Sequence, residues 1–414
     1  MKKISLFLIL IISGATFGQQ TITLEECQQL ISVNYPLLKQ SETLIKQNQL
    51  DTEIINNGKL PQFSLDGQLT YQSDVIKVPM PGATSLNKEQ YKTTLSVNQL
   101  IFNGGLIEAN NQLKSAQLKT KQQQLKVQVY QLKKQVNQLY FSVLMAQEAI
   151  LLVEAKNKLI QSKLKEVTSG IKNGVLVASS EKILKVELLK NKQQLEEIIS
   201  NKKVLIATLS KLITITIDED AVFKKPIIEV ALNTEINRPE LDLFQLKKEE
   251  IESSINLVSK KNAPTIMSFA TGGFGNPGLN MLDNSFQSYY IVGAKLQWTL
   301  FDWSSNKKQQ KSLELNKEII DNEQDVFLLN TQIDLHQQEK EIEKINGFIL
   351  SDTEIIKLRN EVLETADSQL KNGTITVSEY ITELTNLFVD KNKLVTHQIQ
   401  LQLVKANYTI TKGQ

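Results

Sequence analysis

Residues able to do chemistry are few and scattered along the chain. Cys27 is the single cysteine, so neither an intrachain disulfide nor a cysteine-based metal site is available. His336 and His397 are the two histidines, and each stands alone on a helical pattern, as surface or helix-face histidines do. The glycine-rich run GGFGNPG at 272–278 would have to open a helix to cradle a phosphate. It falls instead between two strand-like stretches and reads as a surface loop. With no Cys/His pair, histidine cluster or phosphate loop, the sequence offers no catalytic constellation, and no cofactor or metal is expected. A net charge of +2 gives no field for nucleic acid. What repeats is a turn signal, KNGVLV at 172–177 and KNGTIT at 371–376, each inside a stretch that otherwise reads as helix.

These turns belong to a longer repeat. Asn34-Tyr35-Pro36 matches Asn237-Arg238-Pro239 and Pro61 matches Pro264, both at an offset of 203. Phe102-Asn103 matches Phe301-Asp302 and Lys172-Asn173-Gly174 matches Lys371-Asn372-Gly373, both at 199. The chain therefore reads as a tandem duplication, with four residues removed between Pro264 and Phe301. Each half should run as a helix, a strand pair, a helical pattern of about 70 residues up to the KNG, and a return helix of about 35. The first helix opens at Thr23 with Glu26 three residues on, the pattern of a capping box, and should continue unbroken until shortly before Pro61. The expected boundaries are 19–212 for the first repeat and 237–414 for the second, with hairpins at 61–102 and 264–301 and turns at 172–176 and 371–375. The segment 213–236 joins the halves as a short strand and loop.

Two elements position the turns. The first is a coiled-coil seam. Leu125, Val129, Leu132, Val136, Leu139, Val143, Ala146, Ile150, Val153, Asn157, Ile160, Leu164, Val167 and Ile171 keep strict four-three spacing, and thirteen of the fourteen are apolar. Shifted by 199, the second half keeps nine, with Asp352 and Arg359 among the exceptions. A helix of 70 residues spans roughly 105 Å, far more than a compact domain. The second element is a set of two-faced strands. In FSLDGQLTY (63–71), Phe63, Leu65, Leu69 and Tyr71 share one face. In YIVGAKLQWTL (290–300), Tyr290, Val292, Ala294, Leu296, Trp298 and Leu300 do the same. Such lengths suit tilted transmembrane strands, while a soluble hairpin packed on the helices is the other reading. Four strands cannot close a barrel, and an open edge cannot sit in lipid, so membrane-spanning strands would require several copies.

The N-terminus addresses the compartment. Lys2 and Lys3 precede the apolar run Ile4 to Ile12 and the small residues SGATFG, which is the layout of a secretory signal peptide over 1–18. Cys27 lies beyond the expected cleavage near Gly18, which argues against lipidation. No other apolar run of about 18 residues is present, so no transmembrane helix is expected.

The duplicated unit, the TLEEC…NYPLL opening, LIFNGG at a strand-to-helix junction and the KNG before a new helix make the sequence similar to the TolC-type outer membrane efflux proteins. The likeness covers nearly the whole mature chain. It implies a mainly α fold with a transmembrane β-hairpin pair, in a homotrimer whose twelve-stranded β-barrel continues into a twelve-column α-helical barrel. It implies localisation in outer membrane lipid, no enzymatic activity, and partners in a periplasmic adaptor (membrane fusion protein) and an inner-membrane pump. Gly174 and Gly373 match the family's turn glycine. Asn173, Val175 and Leu176, with Asn372, Thr374 and Ile375, complete the implied tip and adaptor contact. Glu379 matches an acidic position six residues after the second glycine, whereas its first-half counterpart is Ser180, with Glu181 adjacent. A second acidic position in some members is Thr382 here, so Ser180, Glu181, Glu379 and Thr382 are the implied closure residues with fewer carboxylates. The favoured function is a passive exit duct of a tripartite efflux or type I secretion system. A periplasmic adaptor, or a structural coiled coil of the envelope, is the alternative.

Overall fold

The computed structural model describes residues 20–76, 85–230 and 235–414; the expected signal peptide lies outside them. Helix dominates, with a two-stranded pair and a four-stranded sheet among the described residues. The chain divides into two units: the described residues through Pro36 with Gln128–Arg238 and Asn330–Gln414, and Leu37–Val127 with Pro239–Leu329.

In the first unit, strand β1 (Thr21–Ile22) leads into helix α1 (Leu24–Asn34). Thr23 and Glu26 form the capping box that their spacing predicts. The helix does not continue toward Pro61 as expected. It stops at Tyr35, which is extended (ψ 131), because Pro36 disfavours a helical residue before it and brings no amide. A 3-10 turn at Pro36–Leu38 follows, and then α2 (Lys39–Asn57). The halves differ here, since described residues 227–230 and 235–237, the positions matching α1, are not helical. Helix α5 (Pro239–Lys260) instead opens at its proline, a favoured first helical position.

The long elements are α3 (Leu106–Lys172) and α4 (Ser179–Ile213), then α6 (Ser305–Lys371) and α7 (Val377–Lys412). None of the fourteen seam positions on α3, and none of their fourteen matches on α6, is exposed. Two polar exceptions on α6 have partners on α7. Buried Asp352 bonds His397 at 2.6 Å, and Arg359 bonds Asp390 at 3.0 Å and Glu383 at 3.1 Å. His397 is therefore a paired histidine rather than an isolated one. A window of α3 is also long and apolar enough to cross a membrane by length and composition, which a search for uninterrupted apolar runs misses. Tyr140, Phe141, Val143 and Leu144 of α3 are buried in the core, although only 39% of that window is buried.

That core also holds Ile22, Cys27, Ile31, Ile206, Leu209, Ile213 and Phe223. β1 pairs in parallel with β4 (Val222–Phe223). The Tyr140 hydroxyl lies 2.9 Å from the Ile22 carbonyl and 2.6 Å from that of Lys224, tying both segments to α3. Gln147 donates to the Phe223 carbonyl and accepts from its amide, both at 3.1 Å, and so substitutes for a further strand. Burial, with Glu26 and Glu25 beside it, pushes the Cys27 thiol up to about 12, which makes it unreactive.

In the second unit, β2 (Gln62–Tyr71), β3 (Glu89–Phe102), β5 (Thr265–Asn276) and β6 (Gln287–Gln297) form an antiparallel sheet in the order β2-β3-β5-β6. GGFGN is the end of β5 and not a loop, a correction to the reading of 272–278. Glycine is needed there for contact across the sheet. A Cβ on Gly273 would lie 2.4 Å from the Tyr289 ring, and one on Gly293 would lie 2.7 Å from Phe269.

Candidate functional site: two helix turns and a two-faced sheet

Both KNG turns reverse the chain through a left-handed glycine. Gly174 has φ +76 and Gly373 has φ +68, a region open to glycine and costly to other residues. In the first turn, the Gly174 amide donates to Ile171 at 3.0 Å and the Val175 amide to Gly170 at 2.9 Å. In the second, Gly373 donates to Leu370 at 3.1 Å and Thr374 to Gln369 at 2.9 Å. Each pair is the closing hydrogen-bond pattern of a helix that ends at glycine. Asn173 and Asn372 continue their helices, donating to Ser169 and Ser368 at 3.1 Å each.

After the glycine the turns diverge. Thr376 and Glu379 form a capping box, with Thr376 N–H to Glu379 at 2.7 Å and Glu379 N–H to Thr376 at 3.2 Å. The Thr376 backbone bond, aided by its hydroxyl, holds the Glu379 carboxyl below its usual range. In the first turn the N-cap position is Ala178, which has no side chain to cap with. Val175 and Val177 there are 64% and 69% exposed, while Val377 is buried. Leu176 and Ile375 both fold back onto the cluster of Ile160, Val167, Leu184, Leu370 and Tyr380.

The implied closure residues are not brought together within one chain. Ser180 is buried, Glu181 pairs with Lys185 one turn on, and Thr382 donates to Ser378 at 3.0 Å. Among the described residues, no hydrogen bond or ion pair joins Ser180 or Glu181 to Glu379 or Thr382. A different set ties the two hairpins near the turns. Buried Lys163 on α3 bonds Glu166 and Asp367, and its ammonium lies 5.1 Å over the Tyr380 ring. Burial pulls the Lys163 pKa down, but the bonds from Asp367 and Glu166 outweigh it and the net shift is upward. Burial likewise opposes ionisation of Asp367, yet Lys163 and Lys371 hold its pKa below the usual range. Sequence reading missed this set because its members lie on three helices. A lysine at the edge of an apolar seam was the available signal.

The sheet separates its residues by face. Register places Phe63 opposite Val97, Leu65 opposite Leu95 and Leu69 opposite Tyr91. It then places Ala270 opposite Val292 and Gly272 opposite Tyr290 on the same side. This face is apolar and open, with Leu65 73% and Tyr290 80% exposed. The other face carries Ser64, Asp66, Gln68, Thr94, Ser96, Lys92 and Lys295, with Tyr289 and Phe269 laid over their glycines. From Phe63 to Tyr71 the apolar face runs about 26 Å, close to the ~25 Å apolar band of a membrane barrel. Among the described residues, strands β2 and β6 each leave one edge unpaired.

Residues 28–212 match the family model of outer membrane efflux proteins. The likeness read from the sequence therefore holds over these residues. Solved structures extend the match in fold to nearly the whole chain. The chain is similar to CusC (13% identity, 94% of this chain and 92% of that one, TM-score 0.67), whose crystal structures concern folding and transmembrane channel formation. It is similar to the outer membrane protein VceC from Vibrio cholerae (14%, 94% and 96%, TM-score 0.65) and to the outer-membrane channel OprN (13%, 94% and 90%, TM-score 0.67). No curated protein matches. The efflux-protein fold accounts for a chain that combines a small two-faced sheet with long paired helices ending in glycine turns.

Proposed function

We propose that this protein is the outer membrane exit duct of a tripartite efflux or type I secretion system. Three copies would close a twelve-stranded barrel in outer membrane lipid and continue it as twelve helical columns through the periplasm. The observation that carries this reading is the sheet: an exposed apolar face about 26 Å long flanked by two unpaired edges. An open edge cannot remain in lipid, and β2 of one copy against β6 of the next removes both. Helix α6 supports self-association. Leu315, Ile319, Val326, Leu329 and Ile333, then Phe348, Ile355, Leu358 and Val362, form a second apolar stripe that is exposed in the single chain.

The duct does no chemistry of its own and moves small molecules or polypeptides passively, with energy supplied by an inner-membrane pump. The turns are where the adaptor docks, through Asn173, Gly174, Val175 and Leu176 and through Asn372, Gly373, Thr374 and Ile375. The first turn offers the more apolar surface, in Val175 and Val177. Closure involves Glu181, Glu379 and Thr382 between copies, with Ser180 buried within its own chain and the Lys163–Asp367 tie holding each copy's hairpins together.

Membrane fractionation combined with edge cross-linking tests the reading. In a Cys27→Ser chain, one new cysteine on β2 and one on β6 should give outer-membrane material that cross-links up to three chains. A monomer in the soluble periplasmic fraction overturns the proposal.

A further inference from the structure

The two junctions between sheet and long helix share one backbone and differ in sequence. After β3, Asn103-Gly104-Gly105 leads into α3; after β6, Asp302-Trp303-Ser304 leads into α6. Both use two consecutive left-handed residues, with φ +63 and +83 at the glycines and φ +56 and +60 at Trp303 and Ser304. Their hydrogen bonds correspond. Leu106 donates to Asn103 at 3.2 Å and Ser305 to Asp302 at 3.0 Å; Ala109 donates to Gly105 at 3.0 Å and Lys308 to Ser304 at 2.9 Å. The backbone asks for glycine at both places, and a tryptophan is among the residues least suited to it. Gly104 also has a steric reason, because a Cβ there would lie 2.1 Å from that of Ala263. Position 303 carries a full indole.

Burial within the chain does not offset that strain. Trp303 is 79% exposed, and its ring meets Phe301 edge-on at 4.7 Å, itself an exposed residue. Trp298 and Leu300 are exposed beside them. These residues follow the end of β6 at Gln297 and lead into α6. An indole has a broad apolar ring and a single N–H donor, which suits the glycerol and headgroup zone at the edge of a bilayer. Among the described residues, no helix or loop covers the ring.

We propose that Trp303, braced by Phe301, is a lipid-interface anchor that sets the depth of the second hairpin at the helix-side leaflet. This rests on the membrane reading given above. The strained backbone fixes the ring at the junction itself, so depth is specified where the strand gives way to helix. The first hairpin, with Gly104 and Gly105 there, has no such anchor and follows the second through the β3–β5 pairing.

Depth-dependent fluorescence quenching tests it directly. The chain holds two tryptophans, so Trp298→Phe leaves Trp303 as the sole emitter. The full protein is reconstituted into phosphatidylcholine vesicles carrying bromine either near the glycerol or near the end of the acyl chain, and vesicle flotation is scored first. The proposal expects blue-shifted emission that loses more intensity to the shallow bromine than to the deep one. It also expects that Trp303→Gly, which suits the backbone and should fold, still floats but alters the shallow-to-deep quenching ratio of Trp298. Failure to float overturns the membrane reading itself. Flotation with emission unquenched by either lipid, whether water-like or blue-shifted through packing on another copy, overturns the anchor alone. Stronger quenching by the deep bromine, or an unchanged Trp298 ratio in Trp303→Gly, also overturns it.

Discussion

Replacing Gly373 with alanine isolates what the second turn requires. A Cβ at Gly373 would meet nothing within 4 Å, so no clash is introduced. What remains is the backbone penalty at φ +68, about 1–2 kcal/mol for an L-residue in the left-handed region. That corresponds to a roughly 5–30-fold rise in local opening of the turn. Amide hydrogen exchange reads this locally, through peptides covering residues 365–380. Gly174→Ala should behave alike, since φ is +76 and the surrounding space is also open. Gly373→Asn should lose less, because asparagine visits this region more readily. Gly347 is the control: it lies inside α6, has open space, and lacks the positive φ. Alanine there should slow exchange, being favoured in helix by about 0.5–1 kcal/mol. Unchanged exchange in Gly373→Ala, or equal acceleration in Gly347→Ala, would refute the claim that backbone conformation selects glycine at the turn.

Other predictions follow from the pairs and faces. In a double-mutant cycle, Asp352→Ala and His397→Ala should couple by about 0.5–3 kcal/mol in unfolding, and a coupling near zero would mean the pair contributes nothing. Gly275→Ala should lower the yield of folded, heat-modifiable oligomer on gels more than Gly273→Ala. Its Cβ would meet the Tyr91 backbone carbonyl at 2.7 Å, whereas at Gly273 it meets a ring that can rotate; the reverse order contradicts this. Lys92→Glu with Lys295→Glu should move the reversal potential in a salt gradient toward cations, and no movement takes these residues off the inner wall. Asp367 has a depressed pKa, so its pairing contributes stability above the unfolded carboxylate pKa and loses it as pH falls through the folded value. Exchange near the turns should therefore accelerate on acidification, and Asp367→Asn should remove much of that dependence.

Patterns carried along single elements were legible in the sequence. The seam from Leu125 to Ile171, the alternation in 63–71 and the Thr23–Glu26 cap are all local, and residue spacing encodes them. Features that need two distant segments were not. Asp352 and Arg359 read as weak points until α7 brings His397, Asp390 and Glu383 beside them. GGFGN read as a loop because glycine is the usual punctuation there; only register shows that Gly273 makes room for Tyr289. The opening helix was read through Pro36, although the bias of a pre-proline residue was already visible in Tyr35. Of the candidate closure residues, Glu379 lies in the first turn of α7, capped with Thr376, and the sequence showed no sign of the Lys163–Asp367–Tyr380 set, whose members are far apart in sequence.

The central claim is that copies of this chain close a water-filled duct. Single-channel recording of the purified protein in a planar bilayer, on a sample sized beforehand in detergent, tests it most directly. The account predicts three chains per particle and stepwise ion conductance on insertion. A monomer that binds the bilayer without conducting would contradict it.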